Sequence, residues 1–276
     1  MKIKFYGTRG SIPVPEREFM DFGGNTTCVR LTLAEGQIII FDAGTGIRQL
    51  GKDMIASSHE QLGVDFIPIV LSHTHWDHVQ GFPFFGPAYD STRKFKIIIC
   101  GKDCVCSDLE SVFEAQMRAD FFPVPLREMG AEFIFWQPDF SEYTGPLGNH
   151  WRFLRHNHPG GAYSYRFTEG DKTIVYCTDV EHGDGIDERV VELAKDADLL
   201  LHDAQYTPAE LREKKGWGHS SWEQAIEVAM RAGVKQLALI HHDPEHDDQF
   251  LTAVEKQCQR EFSECFMARE GQEIEL

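Results

Sequence analysis

The chain has 276 residues, 42% of them hydrophobic, and carries 27 Lys and Arg against 44 Asp and Glu, a formal net charge of −17. That length and apolar fraction supply a large core, while the acidity argues against grip on a nucleic acid, where affinity comes largely from cationic contacts. No stretch is long and apolar enough to span a bilayer. No Ser- or Pro-rich linker and no short-period repeat interrupts it, so residues 1–276 are expected to form a single unit. The N-terminus reads as a polar-alternating strand, not a secretory signal. The seven cysteines are an odd number, and unpaired thiols suit a cytoplasmic location.

In chain order, residues 2–11 read as a strand entering a glycine-containing turn. Residues 23–28 lead into a second strand, and residues 38–46 form a third strand and a tight turn containing Asp42. Residues 64–71 are apolar and β-branched, the pattern of a buried strand. Directly after them stand His73, His75, Asp77 and His78. Imidazoles and a carboxylate together suit zinc, manganese or iron, and ligands collect at strand ends in layered α/β proteins. Alternation along an extended chain points His73, His75 and Asp77 one way. His78 joins them if the chain turns there.

An aromatic run follows at Phe82, Phe84 and Phe85. Cys100, Cys104 and Cys106 cluster without a fourth metal ligand nearby, which weighs against a zinc clip. Residues 107–117 place Leu109, Val112, Phe113 and Met117 at helical spacing. Pro123 and Pro125 then stop a helix and favour extended chain. This excursion, about 102–130, holds Phe121 and Phe122. They are an aromatic lip able to stack a nucleobase, a contact for a second copy, or plain core. Further on, His156 and His158 precede a strand at 162–167, and Asp179 follows one at 173–178. His202 and Asp203 follow a strand at 197–201. His219 stands before Ser220 and Ser221, which with Glu223 signal the start of an amphipathic helix. His241 ends a strand at 236–240, and His242 beside it would point elsewhere.

The motif at His73, His75, Asp77 and His78, with His158, Asp179 and His241 in order at later strand ends, resembles the metallo-β-lactamase fold family over nearly the whole chain. The resemblance implies an α/β fold, a four-layered βα/αβ sandwich, with one or two metals at the edge between the sheets. It assigns His73, His75 and His158 to one metal and Asp77, His78 and His241 to the other, with Asp179 bridging. His156 is the alternative to His158. The implied cofactors are two divalent ions, zinc or manganese, with iron as the competitor. Members carrying redox di-iron often have Glu where this chain has His75, which favours hydrolysis. Asp77 doubles as a catalytic group. Asp42 buttresses the metal loop, where a carboxylate accepting from a ligand histidine fixes its tautomer.

Residues 202–206 and 218–221, with the N-terminal turns, are similar to the ribonuclease Z branch and its cyclic-nucleotide phosphodiesterase relatives. There the histidine of a His-Glu-Ala-Thr segment protonates the leaving oxygen, a role that falls on His202, with Asp203 where Glu is usual. His219 matches a His-Ser-Thr segment and would bind phosphate or orient His202. Residues 12–18 lack the Pro-x-Lys-x-Arg-Asn loop of ribonuclease Z, and no basic tRNA-gripping arm is present. With the net charge of −17, the expected substrate is a small anionic phosphodiester such as a cyclic nucleotide, rather than nucleic acid. The alternatives are a tRNA 3′-end-processing endoribonuclease, a thioester or lactone hydrolase, a mononuclear iron oxygenase of sulfur compounds, and a non-catalytic scaffold. Dimers are common in this branch, so a homodimer is the implied assembly, with no membrane partner.

Overall fold

The computed structural model describes residues 1–56, 65–100, 108–145 and 148–276. Cys104, Cys106 and part of the 102–130 excursion lie outside the described residues.

Two seven-stranded mixed sheets pack face to face. The first contains β1 (Lys2–Gly7), β2 (Cys28–Thr32), β3 (Ile38–Phe41), β4 (Ile67–Val70), β5 (Lys94–Ile98) and β6 (Glu132–Trp136). The second contains β7 (Glu142–Thr144), β8 (His150–His156), β9 (Ala162–Glu169), β10 (Lys172–Cys177), β11 (Leu199–Asp203), β12 (Gln236–Ile240) and β13 (Cys265–Met267). The last strand, β14 (Glu273–Glu275), returns to pair antiparallel with β1. Strands β3 to β6 run parallel in one sheet, and β10 to β13 run parallel in the other.

Strand alternation decides which residue joins which layer. Ile39 and Phe41 of β3, Ile174 and Tyr176 of β10, and Leu199 and Leu201 of β11 fill the core between the sheets. Ile40 faces α1 (Ile47–Ala56) and α3 (Leu109–Gln116) on one outer side. Val175, Leu200 and Leu237 face α4 (Glu188–Ala194), α6 (Trp222–Ala232) and α7 (Asp248–Glu261) on the other. The layers are therefore helix, sheet, sheet, helix. Parallel strands covered on both faces must be apolar on both, as the Leu199, Leu200, Leu201 run is. One helical turn, α2 (Trp76–Val79), and a short helix, α5 (Pro208–Glu213), sit in the loops. No helix among the described residues is long and apolar enough to cross a membrane.

The parallel strands matter for position. The chain leaves β3 at Asp42, β4 towards His73, β10 towards Asp179, and β12 at His241. Their carboxyl ends converge at one edge of the sandwich, the place where α/β folds gather ligands.

Two outcomes differ from the expected elements. The buried strand at 64–71 is shorter, Ile67–Val70. The strand expected to end at Leu201 continues through His202 and Asp203, which fixes the faces of those two side chains. The aromatic run after the His motif is largely core. Phe82 and Phe85 are fully buried, and Phe82 stacks edge-on with Phe113 at 4.6 Å.

Candidate metal centre

After β4 the chain passes through His73 to His75, which sits at the N-cap of α2. The extended run thus stops at His75, and the helical turn delivers Asp77 and His78 on a different path. Two sets of donor atoms result. His73, His75 and His158 each bring a nitrogen within 4.8 Å of the others. Asp77, His78, Asp179 and His241 do the same within 4.8 Å. Asp179 touches both sets: Oδ1 is 3.9 Å from the Nε2 of His73 and of His158, while Oδ2 is 3.1 Å from His78 Nε2 and 3.3 Å from His241 Nε2.

The outer nitrogens of these rings are committed to acceptors. His78 Nδ1 donates to Asp42 Oδ2 at 2.8 Å, His158 Nδ1 to the Gly218 carbonyl at 2.9 Å, and His241 Nδ1 to Gln205 Oε1 at 2.9 Å. Ser72 Oγ donates to Asp42 at 2.9 Å and so accepts from His73 Nδ1 at 3.0 Å. Each Nε2 therefore turns inward. His78 and His241 face each other Nε2 to Nε2 at 3.3 Å, His158 Nε2 lies 3.1 Å from His75 Nδ1, and His73 Nε2 is buried without a partner. Nitrogens of like polarity this close repel, and an unsatisfied buried polar atom costs about 1–3 kcal/mol. Cations among these atoms would remove both penalties. The residues present fit two divalent ions of the kind that take imidazole and carboxylate ligands.

The electrostatics agree. Burial alone would push His78 and His241 down. The carboxylates of Asp179 and Asp77 outweigh it, raising His78 well above its ordinary value and His241 to about 9. Burial pushes Asp77 and Asp179 up, yet the same histidines hold both well below the usual carboxylate range. His73, His75 and His158 are lowered, chiefly by burial. The carboxylate-rich set thus calls for positive charge.

The backbone is bent to make this edge. Of five non-glycine residues with left-handed backbone among those described, three are Asp42 (φ 56°), Asp179 (φ 55°) and His241 (φ 64°). Such conformations cost of order 1 kcal/mol and gather at functional sites. Gly10 lets the chain pass the His241 ring, since a Cβ there would lie 2.3 Å from it.

Other expected residues separate. Asp42 also accepts from the Ser72 amide and the Tyr176 hydroxyl, so it is fixed from three sides as it holds His78. His156 is not in either set; its Nε2 donates to the Asp179 carbonyl at 3.1 Å. His242 turns away and donates to the Ala268 carbonyl. Phe121 is exposed, and Phe122 packs edge-on against Phe84 at 5.5 Å. Among the described residues, no hydrogen bond or ring contact joins either to the donor sets.

His202 requires correction. Its ring is fully buried on the helix-facing side of β11, with Nδ1 on the Asp203 carbonyl and Nε2 opposite His182 Nε2 at 3.3 Å. Among the described residues, no hydrogen bond or ring contact joins it to the donor sets. Strand parity puts the next residue on the other face: Asp203 binds His219 Nδ1 at 2.8 Å, and accepts from the amides of Asp179, Gln205 and Ser220. The His219 ring lies 4.9 Å from that of His241 and 5.4 Å from that of His158. Asp203 and His219 form a third donor set with Asp179 and His241. The sequence signal for this pair was present, since Asp203 occupies the acidic position after His202.

A family model for the beta-lactamase superfamily domain matches residues 37–242. The chain is 23% identical to ribonuclease BN of Enterobacter sp. (strain 638), over 99% of this chain and 99% of that protein. Among solved structures it is similar to the metallo-β-lactamase fold protein YhfI from Bacillus subtilis, at TM-score 0.70 and 21% identity over 99% of each chain. It is also similar to a diphosphatase of the PhnP family, at TM-score 0.69 and 16% identity over 100% of this chain and 97% of the other. The family match, the paired sheets and the buried His/Asp sets establish that the chain belongs to the metallo-β-lactamase superfamily, as a metal hydrolase.

Proposed function

We propose that the protein hydrolyses a small anionic phosphodiester, such as a nucleotide diester, using two divalent cations. His73, His75 and His158 would hold one cation, and Asp77, His78 and His241 the other, with Asp179 shared. Zinc or manganese suits this donor set. Bound there, such a pair supplies an activated water and offsets charge on the phosphoryl oxygens.

The observation that carries the reading is His219, held by buried Asp203 and lying against rings from both donor sets. Its Nδ1 is fixed on the carboxylate, which leaves Nε2 to carry a proton. Asp203 fixes the orientation of the ring, as a buried carboxylate does for a catalytic imidazole. His219 is therefore the proposed proton donor to the departing oxygen, in place of His202. Asp77 Oδ2 accepts from the Ser11 amide at 2.8 Å, which orients that carboxylate toward the reacting centre. The similarity to proteins named ribonuclease and diphosphatase supports phosphorus as the atom attacked. The net charge of −17 supports a small substrate. The full-length likeness to ribonuclease BN makes RNA ends the second class to assay. The buried thiols of Cys28, Cys177, Cys258 and Cys265 support a reducing, cytoplasmic setting.

The test is turnover of bis(p-nitrophenyl) phosphate by zinc- or manganese-loaded protein, with Asp77→Asn alongside. Turnover by the parent and its loss in the variant is expected. Two bound metals without diester turnover, together with hydrolysis of a thioester or lactone, would overturn the reading.

A further inference from the structure

Two tryptophans stand out from the rest of the chain. Trp76 is 83% exposed and Trp217 is 62% exposed, whereas Trp151 and Trp222 are buried and Trp136 is covered by Lys96 and Phe140. Among the described residues, neither exposed indole has a ring or hydrogen-bond partner for its side chain. A large apolar ring left in water beside residues of a candidate metal site marks a surface able to take a ligand.

Their place in the chain is as informative as their exposure. Trp76 stands between His75 and Asp77 and opens α2. Trp217 precedes Gly218, whose carbonyl takes the His158 Nδ1 proton at 2.9 Å. His158 Nε2 in turn lies 3.1 Å from His75 Nδ1. Both indoles thus spring from segments that touch the same ring, His158. Ile12, 57% exposed, follows Ser11, whose amide holds Asp77. Three segments that carry exposed apolar side chains are therefore tied to the donor sets through their neighbouring residues.

Both indoles are free at the side chain and fixed at the backbone. Glu181 accepts from the amides of Gly216 and Gly218, each at 2.8 Å, on either side of Trp217. Those glycines take φ of 89° and 93°, and a Cβ on Gly218 would meet His158 at 2.2 Å. The clamp allows no other residue there at low cost. Trp76 is held between two residues anchored in the donor sets.

We propose that Trp76 and Trp217 form an aromatic mouth that stacks the planar base of a nucleoside-bearing phosphodiester. The inference rests on the diester reading above and names its substrate class. A phosphate seated among the donor sets leaves its ester groups to extend outward past this rim. Indole faces favour planar π groups over flexible aliphatic ones, and each base stacked is worth a several-fold to hundred-fold gain in binding. Phe121 and Phe122, the aromatics the sequence singled out, have no such link to His158.

The test compares thymidine 5′-(p-nitrophenyl phosphate) with methyl p-nitrophenyl phosphate, which share a leaving group and differ in bearing a nucleoside or a methyl group. In Trp76→Ala and Trp217→Ala, the ratio of kcat/KM for the thymidine ester to that for the methyl ester is expected to fall about tenfold. Trp→Phe should restore most of it. An unchanged ratio overturns the proposal. Quenching of indole fluorescence by adenosine 5′-monophosphate, absent with inorganic phosphate and lost in the Trp76→Phe, Trp217→Phe double variant, reads stacking without turnover. That signal would persist even if the chemistry proved not to be at a diester, so the two readings fail separately. If the double variant instead converts a dimer to a monomer and nucleotide quenches nothing, the indoles cover a second copy and the aromatic mouth is wrong.

Discussion

His202 and His219 carry the same imidazole, and their surroundings give them opposite uses. His202 is enclosed by the helix layer and hydrogen-bonds to a carbonyl and to His182. His219 lies at the edge of the donor sets with its Nδ1 held by Asp203. His219→Ala is therefore expected to lower kcat by about 10²–10⁴ for diesters with alkoxide leaving groups, with metal content intact. The loss should be much smaller for p-nitrophenolate, which departs without a proton. His202→Ala should keep turnover per folded molecule and lower the unfolding temperature, because it leaves a cavity and orphans His182. Steady-state kinetics across leaving groups, beside thermal unfolding, separates the two. The residue types were legible in the sequence. The face was not, because a strand two residues longer than expected reverses which of His202 and Asp203 points to the metal edge.

At the scale of elements, the joint between the His219 loop and α6 holds that histidine in place. Ser221 and Gln224 form a reciprocal cap at the start of α6, and Gly233 closes its end in left-handed geometry. Ser220 gives its amide to Asp203 and its hydroxyl to the Val180 carbonyl. Ser221→Ala should cost about 1 kcal/mol, a fall of roughly 2–4 °C in Tm for a domain of this size; a scanning calorimetry trace that does not move would deny the cap this weight. The capping serine was legible from local sequence, but its partner is Gln224 rather than the Glu223 expected, because Ser221 and not Ser220 takes the cap position. The apolar cores of β3, β4, β10 and β12 were legible too. The reading did not isolate β5 to β8. Their patterns alternate charge with aromatics, as in Lys94 and Lys96 beside Phe95 in β5, and their strand character comes from neighbours supplied by pairing.

Across the whole molecule, several histidines are buried in neutral form. Burial, the largest cause in each case, lowers His156 to about 4, and His182 and His242 to about 3. Their folded pKa values lie below the ordinary value of 6.5. The unfolded chain therefore binds protons first as pH falls. Their contribution to stability is full above about pH 6.5 and is lost as pH drops towards 4 and 3. Each contributes a slope of about 1.4 kcal/mol per pH unit in that window. Urea unfolding of the metal-free protein from pH 7 to 4 should show the midpoint falling steeply below pH 6.5, and a flat profile would contradict this account.

The sequence by itself showed the donor types and their order along the chain, because these follow from local pattern: apolar strands, turn residues, and His or Asp at strand ends; the four-layered α/β arrangement came from the resemblance to the metallo-β-lactamase family. Only the tertiary structure decided which donors meet. Asp179 reaches both sets, His158 enters while His156 supports the Asp179 carbonyl, and Asp203 displaces His202. It also decided that Trp76 and Trp217, far apart in sequence, flank one histidine. The physical reason is that strand parity, left-handed bends and the convergence of two parallel sheets act through space. Where a strand continues past its apolar run, as β11 does through His202 and Asp203, alternation sends one side chain to the helix layer and the next to the metal edge.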